Sequence, residues 1–523
     1  MRWPKVFGCG LIALTFYGHT VQAQETTRGQ VIYQQNCAAC HGDDRLGRIG
    51  PALLPENLGR LRQKKALKVV ANGRPATQMP AFRKTLNGKQ IAAVVDYVYS
   101  KLDHVPDWPM SKIKASHIVH NAVSTLGDKP VHTSDLMNLF TVVETGDHHV
   151  TILDGDTFEP IWRFPSRFAL HGGAKYSPDG RYVYFGSRDG WVSKYDLYSL
   201  KPVAEIRAGI NTRNIAVSGD GKYVMVGNFL PHSLVVLNAV DLSPFRIIPV
   251  ADKKGKSSRV SAVYTARPRS SFIVAMKDIK EIWELSYDPD AEPIYGNFVH
   301  SYRAGQVEAT IVDEQPFGIR RIKLDDYMDD FFFDQAYSEV IGAARNAKMG
   351  QVVNLDVRRK IADLELSSMP HLGSGIIFQY KGRDVMATPH LRENAVSVID
   401  METWKTVKRI KTLGPGFFMR SHENSNYAWV DVFFGKNRDA IHVIDKRTLK
   451  IVKTLRPQPG KTAAHVEFTK DGRYALVSIW EMDGALVVYD AKTLEEVKRI
   501  PMKKPSGKYN VFNKINLSAG TSH

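Results

Sequence analysis

Cysteine is scarce in this chain, three in 523 residues. Cys9 falls inside an apolar N-terminal run, which leaves only Cys37 and Cys40 beyond it. A disulfide-framework fold, in which several bridges stand in for a core, is therefore excluded. Long hydrophobic runs are also missing. The run at 7–17, "FGCGLIALTFY", is too short for a bilayer span, which needs about 20 residues, and nothing later approaches that length. No dense block of Lys and Arg occurs either. The net charge of +17 is spread along the chain. That argues against a nucleic-acid protein and leaves an anionic ligand, an acidic protein partner or simple solubility.

What is present begins with an export signal. Arg2 and Lys5 precede the apolar run, and "VQA" at 21–23 offers small residues for cleavage after Ala23. This pattern predicts a Sec signal over 1–23 and a periplasmic protein, with no twin arginine; the alternative is an N-terminal anchor. Hydrophobic content of 43% and charged content of 24% are those of a folded chain, and the length requires several domains or a repeat array.

Cys37-Ala38-Ala39-Cys40-His41 fits C-x-x-C-H, the pattern of covalent haem c attachment. Two thiols must reach the two vinyl groups on one porphyrin edge, and the adjacent imidazole then lies under the iron. Zinc would need further ligands that no other cysteine supplies. A thioredoxin-like pair would need a strand before the motif, and none is visible. Helix-compatible "TRGQVIYQQN" precedes the motif, Gly50-Pro51 forms a turn after it, and "LNGKQIAAVVDYVYSKL" carries an apolar face at helical spacing. This stretch resembles a small all-α class I cytochrome c over 24–104. The resemblance implies a methionine as sixth ligand and points to Met79 in "ATQMPAF"; the alternative is an ordinary core methionine.

After a linker at 105–135 the chain repeats. "VTILDGDTFEPIWRF", "VSKYDLYSLKPVAEI", "VSVIDMETWKTVKRI", "IHVIDKRTLKIVKTL" and "LVVYDAKTLEEVKRI" each read as a strand ending in Asp, a turn and a second strand. The turn aspartates Asp154, Asp196, Asp356, Asp400, Asp445 and Asp490 mark the repeat. Hairpin signals such as "SPDGRYVYFG" and "TKDGRYALVS" precede several copies. Four short strands in about 45 residues make a β-propeller blade. Residues 136–515 therefore predict an all-β eight-bladed propeller, with degenerate blades between 255 and 345 and a tail at 516–523.

In a propeller, residues just before the innermost strands converge on the axis. His171 ("FALHGGAKY"), His371 ("MPHLGSG") and His465 ("KTAAHVEF") occupy related positions in different repeats, which predicts a ligand pocket there. Glycines beside His171 and His371 would let a flat ligand approach. His390 and His422 each fit a surface turn. Arg188 and Arg213 are candidate partners for carboxylates of a second haem, against the alternative of solvated arginines. Trp480 and Tyr509 are candidates for packing on a ring face or bonding the ligand, against the alternative of core residues.

A cytochrome c domain followed by such a propeller resembles the cytochrome cd1 nitrite reductase family, with "NLFTVVETGDHHVTILDGDT" and "SGKYNVFN" especially similar. The resemblance implies a propeller histidine on haem d1, matched by His171, and two distal histidines. His371 matches one; the other falls on Asp329 or its neighbour. That departure resembles the NirN-type branch, the dihydro-haem d1 dehydrogenases of haem d1 biosynthesis. Membership there implies an oxidoreductase that converts a propionate to an acrylate, with His465 as base, Tyr509 assisting, and His171 and His371 as candidate iron ligands. Electrons would pass to haem c. Implied partners are the tetrapyrrole, a transient complex with cytochrome cd1 nitrite reductase and a periplasmic electron acceptor. The rival readings are a working nitrite reductase of denitrification and a non-enzymatic haem d1 carrier.

Replacing Cys37 and Cys40 together by serine is expected to abolish covalent haem. Haem-dependent peroxidase staining on a denaturing gel reads this directly, and staining that survives would contradict the attachment site.

Overall fold

The computed structural model describes residues 28–516, apart from 49, 60, 75–78, 103, 105, 301–306, 314, 345–348 and 367–368. For 171–172, 296–300 and 307–312 it describes the backbone alone. The expected signal at 1–23 and the tail beyond Asn516 lie outside the described residues. The chain divides into two compact units, Met1–Val105 and Pro106–His523. Among the described residues no helix is long and apolar enough to cross a membrane.

The first unit is helical. Residues 28–36, Ala38–His41, Pro55–Leu58, Gln63–Asn72 and Gly88–Tyr99 form its helices. Asn87 caps the last one reciprocally with Gln90, which satisfies two amide donors that a helix start leaves open. Its apolar face, Ile91, Val94 and Val98, packs on Ile32, Tyr33 and Leu58 around the attachment motif.

The second unit is a propeller of eight blades, each built on a four-stranded antiparallel sheet. The innermost strands are Leu170–Tyr176, Asn211–Val217, Val260–Ala266, Asp330–Phe333, Ile376–Tyr380, Met419–Ser421, Ala463–Phe468 and Pro505–Asn510. The last belongs to the first blade. It pairs with Phe140–Glu144, with Phe140 opposite Asn510 and Thr141 opposite Tyr509, so the C-terminal strand closes the ring. Blade faces bury alternating apolar residues in separate clusters, one centred on Trp283 and Phe272, another on Trp429 and Phe468.

The repeat aspartates have a physical job. Asp154, Asp400, Asp445 and Asp490 each accept the backbone N–H groups two and three residues on, and Asp196 does the same. Such side-chain turns hold the strand-to-strand connection. Asp356 is different: Asn354 accepts those N–H groups in its blade, from residues 356 and 357, so the expected turn residue there is displaced by two. The degenerate region resolves into two blades. The first of them, from Val260 to Lys323, carries an inserted hairpin, Ile294–His300 with Val307–Asp313. Within 106–135, the helix Met110–Ala115 and the short strand Ile118–Val119 belong to the propeller unit; Ile118 pairs with Glu205 at a blade edge.

Phe140 is fully buried beside the closing strand. Phe140→Ala is expected to cost about 3–5 kcal/mol of stability, whereas Phe245→Ala, at an exposed position, should stay within about 0.5 kcal/mol. Chemical denaturation checks both, and equal losses would contradict the ring-closure packing.

Candidate functional site

In the helical unit, His41 is buried and its Nδ1 donates to the Pro51 carbonyl at 2.8 Å. A carbonyl only accepts, so Nδ1 carries the proton and Nε2 is left as the nitrogen available to a metal. Burial also holds this imidazole below its ordinary pKa, in the neutral form that ligates. A Cβ on Gly50 would stand 2.8 Å from His41 Cε1, so glycine here gives the ring its place. Cys37 begins the turn into Ala38–His41, and Cys40 is exposed. These features fit a covalently held haem. Met79 is half-buried, and its carbonyl accepts from the Arg74 N–H at 3.1 Å.

In the propeller, a chain of rings joins the expected residues. The His371 ring lies 4.1 Å from Phe417 and 5.9 Å from Phe418. Phe418 lies 4.7 Å from His465, and His465 meets Tyr509 edge-on at 5.3 Å. Phe417 continues through Phe433 to Trp480, by steps of 5.2 and 5.1 Å. Three blades and the closing strand therefore converge on one apolar wall with polar ends.

The polar ends are specific. His371 Nδ1 donates to the Phe417 carbonyl at 2.6 Å, and burial holds its pKa below the ordinary value. His465 is buried, and its Nδ1 has no hydrogen-bond partner among the described residues; neither does the buried Nε1 of Trp480. Buried polar atoms without partners are uncommon in folded chains, and these two lie on the same chain of rings. Burial, then the neighbouring Lys508, Arg420 and Lys514, hold His465 well below the usual histidine range. Tyr509, half-buried, is pushed up to about 12 by burial, so its hydroxyl keeps its proton.

Around these rings stand cations that sequence reading missed. Arg420 is buried on its inner strand, 3.9 Å from Glu467. Lys175 is pushed down to about 8 by burial and by Arg420. Burial also drives Lys514 well below the usual lysine range. A carboxylate-rich ligand would relieve this crowded positive charge. No local motif marks these cations: Lys175 and Arg420 lie on inner strands and Lys514 on the C-terminal helix Val511–Asn516.

Other expected residues take varied places. His171 pairs by backbone with Gly186, and its side chain lies outside the described residues. Arg213 donates from Nε to the Ser261 carbonyl at 2.8 Å and lies near enough to His371 and Tyr264 to influence both. Arg188 stands outside the chain of rings, with its guanidinium 5.8 Å from Phe229. His171 and His465 lie within inner strands, and only His371 precedes one. His390 and His422 are both fully buried: His390 bonds Ser397 at 2.8 Å, and His422 does open a turn, its carbonyl accepting from the Ser425 N–H, but its ring is turned inside and accepts from the Asn424 N–H. The glycines serve side chains of the protein itself. Gly173, with φ of +76°, lets the Tyr509 ring approach to where a Cβ would be 3.0 Å away, and Gly373 makes room for Asp330. Asp330 accepts from Tyr264 Oη and the Gly373 N–H, whereas Asp329 pairs with Lys277.

Comparison with known proteins places this geometry. Residues 134–514 match the family model described as cytochrome D1 heme domain, and residues 24–98 match that of cytochrome C oxidase, cbb3-type, subunit III. The chain is 54% identical over 514 residues to the dihydro-heme d1 dehydrogenase of Pseudomonas aeruginosa, covering 98% of this chain and 99% of that one. It is 26% identical to the nitrite reductase of Stutzerimonas stutzeri over 94% of both chains. A solved structure, dihydro-heme d1 dehydrogenase NirN in complex with DHE, matches with a TM-score of 0.87 at 55% identity, covering 93% of this chain and 100% of that one.

Gly50→Ala is expected to leave haem c covalently attached and to displace His41. The reduced absorption spectrum and the midpoint potential would both shift; spectra superimposable on wild type would contradict the close fit at Gly50.

Proposed function

The chain belongs to the family of proteins with a cytochrome D1 heme domain, and on that premise we propose that it is an oxidoreductase acting on dihydro-haem d1. One propionate side chain of the tetrapyrrole, –CH2–CH2–COO⁻, becomes an acrylate, –CH=CH–COO⁻, with release of two protons and two electrons. The observation that carries this reading is the 54% identity to a dihydro-heme d1 dehydrogenase along essentially the whole of both chains.

The residues divide the work as follows. His465 takes a proton from a side-chain carbon at the Nδ1 that has no partner among the described residues. Neutral imidazole is the form a base needs, and its depressed pKa keeps it in that form. Tyr509 stays protonated and donates a hydrogen bond beside it. Arg420, Lys175, Lys514 and Arg213, with the Trp480 N–H, bind and orient the carboxylates. His171 and His371 are the iron ligands of the substrate. Haem c, held by Cys37, Cys40, His41 and Met79, supplies one-electron acceptance. The N-terminal apolar segment supports export to the periplasm. There the product would be delivered through transient contact with cytochrome cd1 nitrite reductase, and the electrons would pass to a periplasmic acceptor. Asp330, committed to Tyr264 and Gly373, offers no second distal imidazole, which disfavours nitrite reduction.

His465→Ala is expected to lower turnover by about 10²–10⁴-fold with haem c content unchanged, measured by anaerobic conversion and product mass. Because His465 titrates well below 6.5, its base form is lost only as the pH falls past the usual histidine range. The kcat/KM of the free enzyme should therefore not fall as the pH drops from 8 to 6.5, a range over which Lys175, with a pKa of about 8, gains charge. An acid limb centred at or above 6.5, or full activity in the alanine variant, would contradict the assignment.

A further inference from the structure

The inner strand Ala463–Phe468 is irregular at His465. Its register with Tyr474–Ile479 shifts between Ala464 and Val466, so His465 is skipped by the ladder. Its φ is +53°, a left-handed conformation that is unfavourable for a non-glycine residue. A bulge of this kind aims a side chain, but it also strips the residue of its sheet hydrogen bonds. In a buried strand those backbone groups must find partners elsewhere.

Both do, and both partners are charged side chains from other blades. The His465 N–H donates to Asp431 Oδ2 at 3.2 Å. The His465 carbonyl accepts from Lys508 Nζ, which also donates to Ser478 Oγ at 2.8 Å. Asp431 and Lys508 are fully buried. Burying charge is costly, and neutral side chains could bond the same backbone groups. Charged partners make stronger bonds and hold the geometry more firmly.

Asp431 does more than hold one residue. Its Oδ1 accepts the N–H groups of Phe417 at 2.7 Å and Phe418 at 3.0 Å. The Phe417 carbonyl is the acceptor that fixes His371 Nδ1. One carboxylate therefore ties the backbone of His465 to the segment that orients His371, and the ring of Phe418 stands between the two imidazoles.

We infer that Asp431 is a positioning residue for the oxidation. Its carboxylate fixes the separation of His465 from His371, so that a tetrapyrrole seated against His371 presents its reacting side chain to His465. Lys508 secures His465 from the opposite side. The inference rests on the reading of His465 as the base.

The test uses the full-length protein carrying haem c, with dihydro-haem d1 as substrate under anaerobic conditions. Asp431→Asn keeps the shape but replaces one acceptor oxygen with an amide donor. It is expected to lower kcat by about 10–100-fold, the scale of a misplacement near 1 Å, with KM within about twofold. In a His465→Ala background, Asp431→Asn should cost less than about threefold more, because the two residues act as one unit. Lys508→Met should lower kcat in the same way, and Lys508→Gln, which restores a donor, should recover part of it. If Asp431→Asn does not fold, the Lys508 pair decides. Multiplicative losses in the double variant, or a KM effect without a kcat effect, overturn the positioning role. A fully active His465→Ala would sink the reading of the base and this inference together. An impaired His465→Ala beside a fully active Asp431→Asn would sink this inference alone.

Discussion

The site depends on a single strand pairing. Pro505–Asn510 joins Phe140–Glu144 from the other end of the chain, and this closes the ring of blades. Successive residues of a strand point to opposite faces. The closing strand therefore sends the Tyr509 ring to the His465 imidazole and the Lys508 ammonium to the His465 carbonyl. One strand supplies both the aromatic ring on one side of the histidine and the amine on the other. Both positions are therefore set by the pairing that closes the ring.

Electrostatics sets the second constraint. Lys175, Arg420, Lys508 and Lys514 are all held below their ordinary pKa values by burial, and Glu467 and Asp431 answer only part of that charge. Asp431 is itself pushed up to about 6. A site strained toward positive charge is suited to a ligand bearing several carboxylates, and burial together with Lys508, Arg420 and Lys514 holds His465 well below the usual histidine range.

Much of this was legible in the sequence. C-x-x-C-H announced haem c, and the recurring strand–Asp–turn–strand unit announced the propeller because the aspartate turn is a local device, written within four residues. His371 and His465 were singled out because the repeat predicts that blades converge, and their rings do meet the same Phe418. The rest depended on long-range placement. Asn354 replaced Asp356 at its turn without breaking the apparent period. His390 and His422 looked like surface-turn residues but are buried. Arg420, Lys175 and Asp431 lie on strands with no motif around them, and their importance appears only when neighbouring blades meet. Gly173 serves the Tyr509 ring, from the far end of the chain, which no local pattern encodes.

The most direct measurement is anaerobic mixing of the haem c form with dihydro-haem d1, following product mass and haem c absorbance in the same sample. The expected result is loss of two hydrogens from the tetrapyrrole with two equivalents of haem c reduced for each molecule converted. Tight binding with unchanged mass and oxidised haem c would contradict the account and leave a carrier of the tetrapyrrole.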